Sequence, residues 1–399
     1  MVTDEKLKDS ALIMEKLLGL PVYILVTTGR TGSDLLQSLL DSHPEVATFN
    51  GSLLFHDFWA RSVCVKAGEF DSRDFIDEFV GFFIERFKSR YDLFERKNKL
   101  GDGRNKSIDI DISCFKEIFV QLLVDRRLDL KTIFVAIYGA YAIVLGQDIE
   151  SKKIIFHHEH GFDRLDLLMD DFPTSKIICT TRDPRANFVS GILHWRKFDL
   201  LKDNEAFLYF YIRRILADVE ALERLNHEYC AIKLEDMGND KVLNGLCQWL
   251  GISHNDCLKR STWAGLTWHG DALSTAKHKD KGWSAKALVN NWEKKLSWHD
   301  KSVLNCIMNN RLVFYGYSLK KIGIFDIFLV PFLILLPLSF ELRFFSPQYI
   351  WNNLKKSKFK VIITNVIWYL LRVKLFFKYY LRVISGKQFL QPVLGKEQL

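Results

Sequence analysis

The chain has 399 residues and a formal net charge of +8, a length that suits one large α/β domain with an appendage, or two domains. The charge is concentrated at one end: after residue 345, ten Lys/Arg stand against one acid, which leaves 46 bases against 47 acids before it. A nearly neutral body excludes a nucleic-acid-binding core, which would carry its own basic face.

The first 20 residues are charged and amphipathic, without the apolar core of a signal peptide, so folding in the cytoplasm is expected. Seven cysteines are scattered singly with no CxxC pair, a pattern of reduced, mostly buried thiols rather than of a zinc site.

Val22–Thr27 is apolar and rich in β-branched residues, as a parallel strand covered on both faces would be. It runs into Thr28-Gly29-Arg30-Thr31-Gly32, where the glycines allow a tight turn and Ser33 or Asp34 is placed to cap a helix. Such a loop aims unpaired N–H groups and the positive end of a helix at one point, where an anion sits. The Lys-Ser/Thr pair of an ATP-binding P-loop is missing, which argues against the β/γ-phosphates of ATP with magnesium.

Residues 75–145 hold three helix-like patterns and no convincing strand. They predict a helical insertion at about 70–150, between the first and second strands. Further strands are predicted near 153–157, 176–180 and 230–234, and helices at 285–296 and 301–314. Strands alternating with helices predict an α/β fold with a P-loop-like parallel sheet flanked by helices.

Two sequence runs carry chemistry at strand ends. In His157-His158-Glu159-His160, His158 or His160 is the favoured general base, since His works best near neutral pH. His56 is the runner-up. Neighbouring strand residues point opposite ways, so no metal is expected there. In the second run Arg182 leaves the carboxyl end of a strand, where open parallel sheets bind ligands, and Ser190 follows eight residues later. A guanidinium clamps a phosphate through two hydrogen bonds while a hydroxyl takes a third oxygen. Pro184 suits the first turn of the intervening helix.

The character changes after residue 321. Residues 327–340 are uncharged, broken by Pro331 and Pro337, and shorter than the about 20 residues a spanning helix needs. Residues 359–385 mix aromatic and aliphatic side chains with Lys360, Arg372, Lys374, Lys378 and Arg382, the composition of a basic interfacial helix among anionic headgroups. The expected organisation is an α/β domain at 1–320 and a hydrophobic, basic tail at 321–399 that is peripheral on the cytoplasmic face of a membrane.

Two anion sites after two strands, neither with a Walker lysine, resemble the sulfotransferase family that uses 3′-phosphoadenosine-5′-phosphosulfate (PAPS), in its bacterial and carbohydrate-directed branch. The family's first motif, R-[ST]-G-[ST]-[ST]-L-L, is similar to Arg30-Thr31-Gly32-Ser33-Asp34-Leu35-Leu36. Its second, Arg-Asp-Pro-Arg with a Ser eight residues on, is similar to the run at Arg182 and Ser190. Leu40-Asp-Ser-His-Pro-Glu45, Phe172-Pro173, Lys233-Leu-Glu-Asp236 and Trp249-Leu-Gly251 look like further landmarks, so the resemblance covers about residues 20–315.

The resemblance implies transfer of a sulfuryl group from PAPS to a hydroxyl of a carbohydrate or glycolipid, without a metal. Thr28, Gly29, Arg30, Thr31, Gly32, Ser33 and Asp34 would hold the 5′-phosphosulfate, with Arg30 stabilising charge on the bridging oxygen. Arg182 and Ser190 would hold the 3′-phosphate. Lys277, Lys279, Lys281, Gly282 and Trp283 would add contacts, with Trp283 stacked on adenine. Two positions depart from the family. Asp34 replaces a hydroxyl, and is expected to point away from the anion or pair with a cation. The stretch from Asn50 to His56 lacks an acid that many carbohydrate-directed members carry. These departures leave an inactive, donor-binding relative as an alternative, whereas the absent lysine opposes a P-loop kinase.

Overall fold

A computed structural model describes residues 4–67, 71–92, 96–197, 206–225, 228–270, 292–317 and 323–386. Five parallel strands form the central sheet: β1 (Val22–Thr27), β2 (Val46–Thr48), β3 (Ile154–His158), β4 (Lys176–Thr181) and β5 (Tyr229–Lys233), in the order β2-β3-β1-β4-β5. Every residue of β1 and β3 is buried, as expected of strands covered by helices on both faces.

Helix α1 (Asp4–Leu18) precedes β1 and α2 (Ser33–Leu40) follows it. Between β2 and β3 lie α3 (Phe55–Arg61), α4 (Val63–Ala67), α5 (Ser72–Phe82), α6 (Ile84–Phe87), α7 (Ile112–Leu122) and α8 (Leu130–Val144). Helix α9 (Leu165–Asp171) joins β3 to β4, while α10 (Pro184–Lys197) and α11 (Ala206–Leu225) join β4 to β5. After α12 (Asp240–Leu250) comes a small antiparallel hairpin, β6 (Thr262–Trp263) and β7 (Leu266–Thr267). The chain finishes in α13 (Trp292–Lys295), α14 (Trp298–Ile307), α15 (Asn309–Phe314), α16 (Ile324–Ile334), α17 (Pro347–Lys355) and α18 (Phe359–Ile384).

One strand of the central sheet, and the small β6–β7 hairpin, were not expected from the sequence. β2 is only three residues long, too short to show a period, and is held at the edge by pairing Val46 to Ile154 and Thr48 to Phe156. The helical stretch therefore lies between the second and third strands, not the first and second. Residues 285–291 of the helix expected at 285–296 lie outside the described residues. The single helix expected at 301–314 is two, α14 and α15.

Two apolar clusters stabilise the chain. The larger surrounds the sheet and contains α2, α5, α7, α8 and α12. The second joins Phe188 and Ile192 of α10 to Ile212 and Ile215 of α11, then to Val303 of α14, Val330 and Leu333 of α16, and Phe376 and Tyr379 of α18. The expected boundary near residue 320 therefore does not separate two cores, because the C-terminal helices complete the one begun by α10 and α11. Arg372 of α18 anchors this arrangement. Its guanidinium forms two hydrogen bonds to the Glu341 carboxylate, 3.0 and 2.8 Å, and donates to the Ile334 carbonyl, one of the unsatisfied groups at the end of α16. Both partners are almost wholly buried. Among the described residues no helix is long and apolar enough to cross a membrane.

Candidate functional site

The register aligns the carboxyl ends of the strands on one rim. Leu25 of β1 stands beside His158 of β3, Thr27 of β1 beside Thr180 of β4, and Thr181 of β4 beside Lys233 of β5. β1 continues the chain toward β2 and β3 on one side while β4 and β5 lie on the other, so the loop after β1 sits at the topological switch point.

That loop is built from left-handed backbone. Gly29, Arg30 and Gly32 have φ of 83°, 58° and 90°. Gly32, rather than Ser33 or Asp34, is the N-cap of α2; the chain enters the helix from a left-handed turn, and glycine has no side chain with which to cap it. The first N–H groups of α2 are thus left for an anion. At Gly32 a Cβ would also come within 2.5 Å of Leu234 Cδ1, so glycine is required twice over.

Hydroxyls fix the loop from below. Thr31 Oγ1 lies 2.6 Å from Thr27 Oγ1 and 2.8 Å from Thr180 Oγ1, and the Gly29 N–H donates to Thr27 Oγ1 at 2.9 Å. Asn187 Nδ2 of α10 donates to Thr28 Oγ1 at 2.8 Å, and the Tyr211 hydroxyl of α11 donates to Asn187 Oδ1. Tyr211 comes this close because Gly191 of α10 has no side chain; a Cβ there would lie 2.1 Å from the ring.

Cations gather at this rim. Burial lowers the pKa of Arg182, and the Arg30 charge lowers it further while Glu235 opposes. Its Nε has no hydrogen-bond partner among the described residues, nor has Nε of Arg214, whose Nη2 reaches the Thr27 carbonyl at 3.4 Å. Arg185, three residues after Arg182, is instead engaged internally, with bonds of 3.0 and 2.7 Å to Asp183 and one of 2.9 Å to Asn305. Ser190 lies two turns along α10, half-buried.

The histidines differ in their surroundings. His158 is fully buried, 2.9 Å from Gln37 Oε1 through Nδ1, and burial holds its pKa well below the usual value. His160 is half-buried, with Nε2 3.9 Å from where a Gly29 Cβ would stand. Burial, then the Arg214 charge, lowers its pKa to about 4. His157 is turned the other way, onto the Tyr138 hydroxyl at 2.8 Å. His56 is bound through Nε2 to Asp171 of α9 at 2.6 Å, a contact that joins α3 to α9 rather than serving the loop. Asp34 is 38% exposed and faces His158, 3.9 Å from Nδ1, and its charge opposes the burial shifts of His160 and Arg86. The carboxylate thus leans toward a group of bases.

Leu40–Glu45 supports structure nearby: Asp41 accepts from the N–H groups of Ala264 and Gly265, and His43 Nε2 meets the Ser253 carbonyl at 2.9 Å. Lys277, Lys279, Lys281, Gly282 and Trp283 lie outside the described residues. Sequence reasoning missed Gln37, Asn187, Tyr211 and Arg214. Asn187 lies one helical turn before Ser190 and was within reach of a face argument, whereas nothing in the sequence marks the α11 residues.

The sequence model of the sulfotransferase family matches residues 21–256. Comparison with curated proteins gives no match. Among solved structures, the chain is similar to the sulfotransferase domain from the Synechococcus PCC 7002 olefin synthase, at 16% identity over 69% of this chain and 88% of that one, TM-score 0.38. It is also similar to the sulfotransferase domain from the curacin biosynthetic pathway, at 14% identity over 75% of this chain and 99% of that one, TM-score 0.41. A third is the sulfotransferase STF9 from Mycobacterium avium, at 14% identity over 63% of this chain and 70% of that one, TM-score 0.33.

Proposed function

We propose a function from one premise: this chain belongs to the sulfotransferase family, whose sequence model spans more than half of it. The reaction we infer is transfer of a sulfuryl group from PAPS to a hydroxyl of a carbohydrate or lipid-linked glycan. The observation that carries the donor is the convergence of the loop after β1 on the end of β4, with the Thr31 and Thr180 hydroxyls 2.8 Å apart and the Arg30 charge acting on Arg182. An anion with phosphate groups at two ends relieves that repulsion. The turn at Gly29–Gly32, Arg30 and the start of α2 suit the phosphosulfate; Arg182 and Ser190 suit the 3′-phosphate.

In the transfer, the acceptor oxygen bonds to sulfur as the bond from sulfur to the bridging phosphate oxygen breaks. The electron pair stays on the phosphate, where Arg30 and the loop N–H groups meet it, and the hydroxyl proton moves to a base. Of the three candidate histidines, His160 suits this role best. It is half-buried at Gly29, whereas His158 is closed in and His56 is held by Asp171. A bound phosphosulfate counters Arg214, Arg86 and Arg30, so it raises the affinity of His160 for the proton when the base is needed. The carbohydrate acceptor rests on the likeness of residues 40–45 to that branch.

The test uses sulfur-labelled PAPS and phosphorus-labelled ATP in parallel, with glycan and lipid-linked glycan acceptors. Sulfur transfer that Arg182→Ala abolishes supports the reading. Phosphate transfer in its place overturns it, and PAPS binding without transfer to any acceptor makes the chain an inactive relative.

A further inference from the structure

The C-terminal helices expose apolar side chains for which the fold has no use. On α16, Phe325, Phe328 and Phe332 are between 69% and 74% exposed, spaced three or four residues apart, opposite the packed Val330, Leu333 and Ile334, and Leu336 just past the helix end is 52% exposed. On α18, Phe359, Ile363, Ile367 and Leu370 repeat the spacing at 49% to 58% exposure, opposite the buried Asn365, Arg372 and Phe376. Each helix thus has an inner face packed on the protein and an apolar outer face. Scattered surface leucines need no explanation, but a regularly spaced stripe of Phe or Ile on each of two helices does.

Charge identifies what covers them. From residue 355 to 384 the sequence contains no Asp or Glu. Of the cations there, Arg372 is buried on Glu341, and Lys378 and Arg382 reach Glu220. Lys356, Lys360 and Lys374 are exposed, with no acidic partner among the described residues. A second copy of this chain would set lysine against lysine, whereas an anionic headgroup layer complements them. No described helix is apolar enough to cross a bilayer, so the fitting geometry is a helix lying in the interface, with its rings in the acyl boundary and its lysines among the headgroups.

We propose that the outer stripes of α16 and α18, flanked by Lys356, Lys360 and Lys374, dock the protein on an anionic lipid bilayer without spanning it. This docking is independent of the sulfuryl-transfer reading, and is tested without any activity measurement. Full-length protein is sedimented with phosphatidylcholine vesicles, with and without phosphatidylglycerol. Binding is expected only with the anionic lipid, and to fall about tenfold in Phe328→Ser/Phe332→Ser and in Lys356→Glu/Lys360→Glu/Lys374→Glu. Because all these side chains face solvent, both variants should keep the parent melting temperature and circular dichroism. Absence of binding to anionic vesicles overturns the proposal, as does binding that neither variant weakens. A dimer in solution that Phe328→Ser/Phe332→Ser dissociates, with no vesicle binding, assigns the stripes to self-association and overturns it equally.

Discussion

Gln37 on α2 and His158 on β3 meet at 2.9 Å, and the contact decides which ring nitrogen carries the proton. The Gln37 amide nitrogen donates to the Phe49 carbonyl at 2.7 Å and to Thr48 Oγ1 at 3.1 Å, so its oxygen faces the ring and accepts from Nδ1–H. The lone pair of His158 then lies on Nε2, which is buried without a hydrogen-bond partner. Gln37→Leu strands Nδ1–H and the Phe49 carbonyl together. A loss of about 1–3 kcal/mol in urea unfolding is expected.

The three histidines at the carboxyl end of β3, His157 and His158 within it and His160 just past it, make stability depend on pH in one direction. Burial lowers the folded pKa of His157, His158 and His160 below the ordinary value of 6.5, with His160 near about 4. The unfolded chain therefore binds protons more readily than the folded one. Stability is complete above about pH 6.5 and falls as pH drops through that value, by up to about 1.4 kcal/mol per pH unit for each ring. Urea midpoints measured from pH 8 to pH 5 should decline below neutrality, less steeply in His160→Gln. A flat profile would rule out neutral buried rings.

Gly32→Ala tests the left-handed entry to α2. The backbone strain costs about 1–3 kcal/mol, and the added methyl must displace Leu234 as well. Lower thermal stability and lost affinity for 3′,5′-adenosine bisphosphate, the donor without its sulfuryl group, are expected together. Unchanged affinity in a folded variant would remove the loop from the donor site.

Arg182 and Arg185 look alike in sequence but should behave oppositely. Arg182→Ala removes a guanidinium with an unengaged Nε, so calorimetry should show the bisphosphate bound about tenfold to a hundredfold more weakly, with little change in melting temperature. Arg185→Ala leaves Asp183 buried without its partner, and a loss of about 3–5 kcal/mol in stability is expected. Equal effects on binding would show that Arg182 has no special part in it.

Much of the loop was legible because its chemistry is local: Val22–Thr27, Gly29, Gly32 and Arg182 are set by strand pattern, turn geometry and position at a strand end. Tyr211 and Arg214 were not, since they reach the loop only through the packing of α11 on α10 at Gly191. His56 misled for a related reason: its partner, Asp171, is 115 residues away. The C-terminal helices read from composition only as hydrophobic and basic. Their inner faces pack on the protein and their outer faces do not, and no compositional count separates the two.

Tyr211 belongs to the second apolar cluster and also places its hydroxyl at the loop after β1, 3.4 Å from the Gly29 carbonyl. Events at the far end of the chain therefore have a mechanical route to the anion cradle. Deleting everything past residue 322 would leave Phe188, Ile212 and Ile215 without their cover and let Tyr211 drift. Such a deletion cannot serve as a clean test of the tail, because it would disturb the loop after β1 too. An affinity tag or fusion joined after α18 becomes a variable in any donor titration, one to be controlled with a tag at the other terminus.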